Sequence, residues 1–341
     1  MSLNLFELPK IHQTDERKFD STIRRFNLNA PHNYLGCPEL NLIIIGSGPA
    51  GLTASIYAAR GGVETKVVEG NIPGGQLNFA LEVENYPGFP MPISGPELVG
   101  LMRKQAERFG VEFIPGVVER VDFAEPPFKV EVDGKLYEAA SIIVATGSSP
   151  RWLGLESEKR LIGRGVSSCA ICDGYFFKDK DVVVVGGGDT AVEDAIFLSK
   201  IASKVTLIHR RDRLRAAATI QEKAMRISKI RFLWSCVVED ILGDDHVEGV
   251  KIRNVLTGQT QELRCDGVFI AIGQTPNTEI FRGHLELDGE GYIKIAADSS
   301  TSKPGIFAAG DVVDKVYRQA VVAAGSGCKA AMDALRYLNS K

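Results

Sequence analysis

The sequence predicts an α/β fold of two doubly wound domains, the second inserted into the first. Three observations predict it. A short apolar strand over residues 40–45 runs into Gly46-Ser47-Gly48-Pro49-Ala50-Gly51, then a helix to Arg60 and a second strand over residues 65–69. The same unit recurs later: a strand over 181–185, the turn Gly186-Gly187-Gly188-Asp189-Thr190-Ala191, a helix, and a strand over 204–208. Finally, residues 142–147 echo residues 268–273, each a strand ending in a small-residue turn with Pro150 or Pro276 close behind. Two βαβ units imply two Rossmann-like domains, and the echo marks the two crossings between them. The expected division is 40–151 with 275–341 for the discontinuous domain and 152–274 for the inserted one. Residues 1–39 form an N-terminal extension.

The bulk composition excludes several classes. A chain of 341 residues can bury two cores. Its 44% hydrophobic and 24% charged content is ordinary for a soluble protein. A net charge of -3 provides no basic field for nucleic acid or anionic membrane. No apolar run approaches the roughly 18 residues of a membrane span. The extension mixes Glu7, Asp15 and Glu16 with Lys10, Arg17 and Lys18. It lacks the apolar stretch of a secretory signal, and its acids argue against a transit peptide, so the default compartment is the cytoplasm. Pro9, Pro31, Gly36 and Pro38, with no period, read as a segment partly ordered at best. Six cysteines do not make a disulfide scaffold in so long a chain. Cys37, Cys236, Cys265 and Cys328 are isolated and read as buried or incidental thiols.

In the first glycine loop, Gly46 permits the turn, Gly48 lets the backbone approach a pyrophosphate, and Gly51 lets helix and strand pack closely. The helix N-terminus offers free N–H groups to the anion. Glu69, at the end of the second strand, stands where an acid bonds an adenosine ribose. In the second loop Gly186 and Gly188 are followed by alanine in the third place, a variant the pattern allows. No acid ends its second strand. His209, Arg210 and Arg211 stand there, with Arg215 close behind. Guanidinium forks match phosphate oxygens, so this end suits a 2′-phosphate and predicts NADP(H) over NAD(H). The alternative is a solvated basic turn.

Between the loops lies Cys169-Ala170-Ile171-Cys172-Asp173-Gly174. C-x-x-C reads as half a zinc site, a redox pair, or chance. A zinc site needs a second ligand pair, and the remaining cysteines are isolated. A redox pair at the start of a helix, here over about 170–177, has one thiol pKa lowered by the dipole. Asp173 suits a general acid for the departing thiolate, and equally a capping residue.

Taken in order, these motifs resemble the low-molecular-weight thioredoxin reductases over about residues 40–341. The resemblance also rests on Gly74-Gly75-Gln76-Leu77, Glu82-Val83-Glu84-Asn85-Tyr86-Pro87-Gly88, Gly163-Arg164-Gly165-Val166-Ser167, Ala309-Gly310-Asp311-Val312 and Tyr317-Arg318-Gln319-Ala320. It implies FAD in the discontinuous domain and NADPH in the inserted one. Gln76 and Asn85 then lie near the flavin, Asp311 bonds its ribityl or pyrophosphate region, and Gln319 and Ala320 line the isoalloxazine. Pro49, Ala50, Gly75, Gly147, Gly310 and Arg318 join the FAD set, and Asp189 and Thr190 the NADPH set. The resemblance further implies that Cys172 faces the flavin and that Cys169 attacks thioredoxin. Arg164, Tyr175 and Phe176 then form the docking patch, though core packing is the plain alternative for the two aromatics. Domain rotation and a homodimer are also family expectations.

Rival readings stay open at this point. A relative taking electrons from ferredoxin typically lacks the arginine cluster. The flavoprotein of a peroxide-reducing system carries a long N-terminal dithiol module, and a ferredoxin–NADP reductase lacks the active dithiol. A non-catalytic redox sensor needs an output domain, and the sequence offers none.

Overall fold

In the computed structural model, which describes residues 41–341, the chain folds into two lobes of the same plan. The expectations for residues 1–39, including Cys37, lie outside the described residues. The first lobe opens with β1 (Asn41–Ile45), α1 (Pro49–Arg60), β2 (Glu64–Val68), α2 (Gly95–Arg108) and β3 (Glu112–Ile114). A three-stranded antiparallel sheet follows, β4 (Val118–Asp122), β5 (Phe128–Val132) and β6 (Lys135–Ala139), before β7 (Ser141–Val144) returns to the parallel sheet. The short β8 (Ser148–Pro150) leads out of this lobe.

The second lobe holds α3 (Glu156–Leu161), β9 (Val166–Ser167), α4 (Ala170–Asp173), β10 (Asp181–Gly186), α5 (Asp189–Leu198), β11 (Lys204–Ile208), α6 (Ala218–Met225) and β12 (Ile230–Leu233). Another antiparallel trio, β13 (Cys236–Leu242), β14 (Gly249–Asn254) and β15 (Thr260–Arg264), precedes β16 (Gly267–Ala271). The chain then returns through β17 (Gln274–Pro276) to β18 (Ile306–Ala308) and α7 (Ala320–Asn339).

The two parallel sheets have orders β18-β7-β1-β2-β3 and β12-β11-β10-β16-β9. Every pairing within them is parallel. Each central strand is buried on both faces, which is why both read as unbroken apolar runs. Leu42 and Ile44 pack under α1 and α7, while Ile43 and Ile45 pack against β4–β6 and Phe281. In the second lobe Val182 and Val184 meet α5, and Val183 and Val185 meet β13 and β14. In both sheets the order reverses beside the central strand, between β1 and β7 and between β10 and β16. A ligand crevice opens at the carboxyl ends of the strands at such a switch point. Both glycine loops lie there.

The two crossings run side by side. β8 pairs antiparallel with β17, Ser149 opposite Thr275. Asn277 ties them further, donating from Nδ2 to the Thr146 carbonyl at 2.9 Å and from its backbone N–H to the Gly147 carbonyl at 3.0 Å. Gly147 and Gly273 sit at these crossings with φ of 68° and 113°, a region closed to most side chains. Among the described residues, no helix is long and apolar enough to cross a membrane.

Candidate functional site

At the head of β1, a Cβ on Gly51 would sit 1.8 Å from the Gly46 carbonyl oxygen, so only glycine lets α1 start this close to the strand. Gly48 faces open space: a Cβ there would meet only the Gly74 carbonyl, 4.0 Å away. Several residues implied by the resemblance converge on this loop. Gly75 packs against the Gly48 backbone, and Gly310 approaches Ala50. Asn85 Nδ2 donates to Gln319 Oε1 at 3.5 Å, joining two segments far apart in sequence. Gln76 and Asn85 are exposed, and Arg318, Gln319 and Ala320 are half-buried at the entrance to α7. Arg318 takes a positive φ of 47° to turn into the helix.

Two neighbours of this loop carry no signal in the sequence. Ser47 donates from Oγ to the Glu69 carbonyl at 2.8 Å and accepts the Gly74 N–H at 3.0 Å, which locks the loop to both. Arg103 grips the buried Glu69 carboxylate and stacks on Phe113, 4.1 Å from its centroid. Glu69 is therefore held by a partner on α2, with one oxygen engaged. Asp311 points most clearly to a ligand. Burial, helped by Asp314, pushes its carboxyl up to about 6, Arg318 pulls the other way, and no hydrogen bond offsets the burial. A hydroxyl-bearing ligand would supply the donor this acid lacks, so the crevice fits a flavin nucleotide.

The second crevice is built differently. Gly188 is open, with nothing within 4 Å of where a Cβ would stand. Gly187 is closed: a Cβ there would overlap the His209 imidazole at 2.2 Å. His209 is only 5% exposed, stands edge-on to Trp234, and leaves Nε2 without a partner among the described residues. Burial holds its pKa down, and Arg215 and Arg211 act in the same direction. The imidazole thus braces the glycine loop from beneath. Arg210, Arg211, Arg213 and Arg215 are all exposed, and none has a carboxylate within ion-pair distance among the described residues. Arg215 N–H donates to the Gly187 carbonyl at 2.7 Å, tying the arginine loop to the glycine loop. Four exposed guanidiniums beside an open glycine turn fit a phosphorylated nucleotide. Asp189 Oδ1 accepts the Ala217 N–H at 2.7 Å, which fixes the start of α6. Thr190 is exposed in the first turn of α5.

Cys169 and Cys172 are joined as a disulfide, with Cα atoms 5.3 Å apart. The helix expected over 170–177 is broken in two. The α-helical part ends at Asp173, and Gly174–Phe177 tightens into a 3-10 turn. The cause is tertiary: Phe177 turns inward to meet Phe269 edge-on at 5.3 Å. A single α-turn has little dipole, so the expected dipole effect on the thiol is replaced by one hydrogen bond. Cys169 Sγ accepts the Cys172 N–H at 3.2 Å. Such a donor favours a thiolate at Cys169. The tightened turn also leaves Tyr175 and Phe176 outside, 64% and 39% exposed. Ile171, not singled out from sequence, is 61% exposed between the two cysteines. Burial raises the Asp173 pKa, and the Ser167 hydroxyl pulls it the other way.

The sequence profile of the family described as "Pyridine nucleotide-disulphide oxidoreductase" matches residues 40–327. A thioredoxin reductase of Streptomyces coelicolor is 53% identical over 301 residues, covering 87% of this chain and 94% of its own. The crystal structure of thioredoxin reductase from Streptococcus pyogenes superposes with a TM-score of 0.84 at 45% identity, covering 88% of this chain and 98% of its own. Lactococcus lactis thioredoxin reductase in its FR conformation reaches a TM-score of 0.62 at 40% identity, covering 89% of this chain and 100% of its own. The chain belongs to the pyridine nucleotide-disulphide oxidoreductases and, within them, to the thioredoxin reductases. Membership implies a flavin and a pyridine nucleotide. Between the last two structures the score falls while identity and coverage barely change, as when two intact lobes rotate against each other.

Proposed function

We propose that this chain passes electrons from NADPH, through FAD and the Cys169–Cys172 disulfide, to oxidised thioredoxin. The observation that carries this reading is a reducible disulfide on the lobe with the arginine loop, ringed by exposed Ile171, Tyr175 and Phe176. The FAD lobe on this reading comprises 40–151 and 275–341, and the NADPH lobe 152–274. The loop at Gly46–Gly51, with Asp311 and the Asn85–Gln319 pair, holds the flavin. Gly188 and the arginines hold the nucleotide. The bound flavin supplies the two-electron chemistry that links a hydride donor to a disulfide.

The chain's own residues do the rest. The half-buried Asp173 carboxyl stays protonated to higher pH than an exposed one and gives its proton to the departing thiolate. Cys169, favoured as thiolate by the Cys172 N–H, attacks the thioredoxin disulfide, and Cys172 resolves the mixed disulfide. One dithiol cannot touch the flavin and a protein substrate at once, so the lobes rotate about the paired crossings at Gly147 and Gly273.

The apolar ring gives thioredoxin its footing, joined by Arg164, which is exposed and without an ion pair among the described residues. The double variant Ile171→Ser, Tyr175→Ala is expected to lose about tenfold or more in kcat/KM for thioredoxin while keeping its rate on a small aromatic disulfide. Equal losses on both substrates would mean that the ring serves the dithiol's own geometry and not docking. A homodimer is also proposed: Val321, Gly325 and Met332 form an exposed apolar stripe along α7, with Tyr57 of α1 exposed too. Light scattering should give twice the chain mass, falling toward one chain mass in Met332→Asp. A wild-type monomer would refute the dimer and leave the electron path untouched.

A further inference from the structure

We infer that Glu158 is a positioning residue for the lobe rotation. Its buried carboxylate clamps the first crossing to the inserted lobe, so that the lobe and its dithiol turn with the crossing as one body. Glu158 lies in α3 and is 0% exposed. Its Oε1 accepts the Leu153 N–H and its Oε2 the Gly154 N–H, each at 2.9 Å. No Lys, Arg or His lies within ion-pair distance of it among the described residues. Burying a carboxylate is costly. Here both of its oxygens engage the backbone of one short segment, the stretch that leaves β8.

A glutamate in the first turn of a helix ordinarily bonds the N–H of the N-cap residue. The N-cap of α3 is Leu155. Glu158 reaches past it to the two residues before, which belong to the crossing and not to the helix. Its carboxylate therefore does more than start α3. It holds the chain where the crossing enters the lobe.

Both sides of this clamp are fixed. On the crossing side, the Arg151 N–H donates to the Gly273 carbonyl at 2.9 Å, and Arg151 Nε donates to Thr275 Oγ1 at 2.9 Å. The two crossings thus stay paired as far as Arg151, and Trp152 alone separates that pairing from the clamped Leu153. On the lobe side, Ser157 Oγ donates to Asp240 Oδ1 at 2.5 Å and accepts the Ile241 N–H at 3.1 Å, which fixes α3 to β13. Leu161, at the end of α3, is fully buried with Val183 and Val185 in the core of the lobe. The chain then turns, with the Gly163 N–H on the Val166 carbonyl at 3.0 Å, into β9 and the dithiol.

Rotation has to bring one disulfide onto the flavin in one orientation and present it to a protein in the other. A misplacement of about 1 Å at reacting atoms can lower a rate about a hundredfold. A loose clamp lets the lobe tilt as well as turn. Glu158→Gln keeps the size of the side chain but removes one acceptor and turns an NH2 group toward a backbone N–H, which frees one of the two bonds.

The inference rests on the rotation in the proposed function, but its first test needs neither thioredoxin nor NADPH. Spin labels carried on a keto-bearing amino acid are placed at the exposed positions Glu138 of β6 and Glu262 of β15 in the oxidised, flavin-loaded protein, with unlabelled chain in excess. Pulsed electron–electron resonance then reads the distance between the lobes. Wild type is expected to give narrow peaks, and Glu158→Gln peaks at least about twice as wide. Ser157→Ala loosens the same clamp from the lobe side, leaves Glu158 in place, and is expected to broaden this pair as well. A second pair, Lys223 of α6 with Glu262, lies within the inserted lobe and is expected to stay narrow throughout. In turnover with thioredoxin, Glu158→Gln is expected to lower kcat about tenfold with the KM values for both substrates within about twofold of wild type. An unchanged interlobe width in either folded variant, or an unchanged kcat in Glu158→Gln, overturns the inference. So does equal broadening of the second pair, which marks a lobe loosened throughout. Interlobe widths that behave as stated, in a protein whose wild type fails to reduce thioredoxin, count against the proposed function alone.

Discussion

Replacing Cys169 by Ser is expected to abolish thioredoxin reduction, by at least about a thousandfold, while NADPH still bleaches the flavin. The asymmetry between the two sulfurs drives this expectation. Cys169 Sγ receives the Cys172 N–H, and the Cys169 backbone is held by Ser167, so Cys169 is the sulfur prepared to exist as a thiolate. A hydroxyl in its place cannot attack a disulfide. On the proposed reading the flavin and nucleotide crevices lie at the heads of β1 and β10 and do not use this sulfur, so electron entry survives. Steady-state NADPH oxidation with thioredoxin, set beside single-turnover bleaching, separates the two halves. Wild-type turnover in Cys169→Ser would place the attack on Cys172 instead.

The second large effect is expected from Arg210→Ala with Arg211→Ala. Each exposed guanidinium that bonds a 2′-phosphate contributes roughly 1.5 kcal/mol or more, about tenfold in affinity. Removing two should raise KM for NADPH about a hundredfold and leave KM for NADH nearly unchanged. The glycine turn is spared in this variant, because its brace is the buried His209 ring and its tie is the Arg215 backbone N–H. Parallel losses for both nucleotides would mean that the pair supports the loop and does not read the phosphate.

The two βαβ units were legible because a strand buried on both faces writes an uninterrupted apolar run, as in residues 42–45 and 182–185, and because glycine turns at strand ends have few other uses. The same rules could not place side chains that answer to distant partners. Glu69 was legible as an acid at a strand end, but Arg103, which holds it, lies on another helix with no local signal. His209 and Arg210 are adjacent in sequence, yet one turns under the glycine loop and the other into solvent. The broken helix after Cys169 was hidden because its helical propensity is overruled by Phe177, which is drawn onto Phe269. Asp189 joined the nucleotide set only through the resemblance, and its bond to the Ala217 N–H at the start of α6 spans 28 residues that no local pattern links. Ser167 carried one usable hint, a polar residue closing a buried strand beside a dithiol.

The most direct measurement is an anaerobic titration of the purified yellow protein with NADPH and, separately, NADH, followed by oxidised thioredoxin. The expected result is flavin bleaching by NADPH, much weaker bleaching by NADH, and full return of the flavin absorbance when thioredoxin is added. Bleaching that thioredoxin fails to reverse would contradict the proposed acceptor, and no bleaching by either nucleotide would contradict the electron path at its first step.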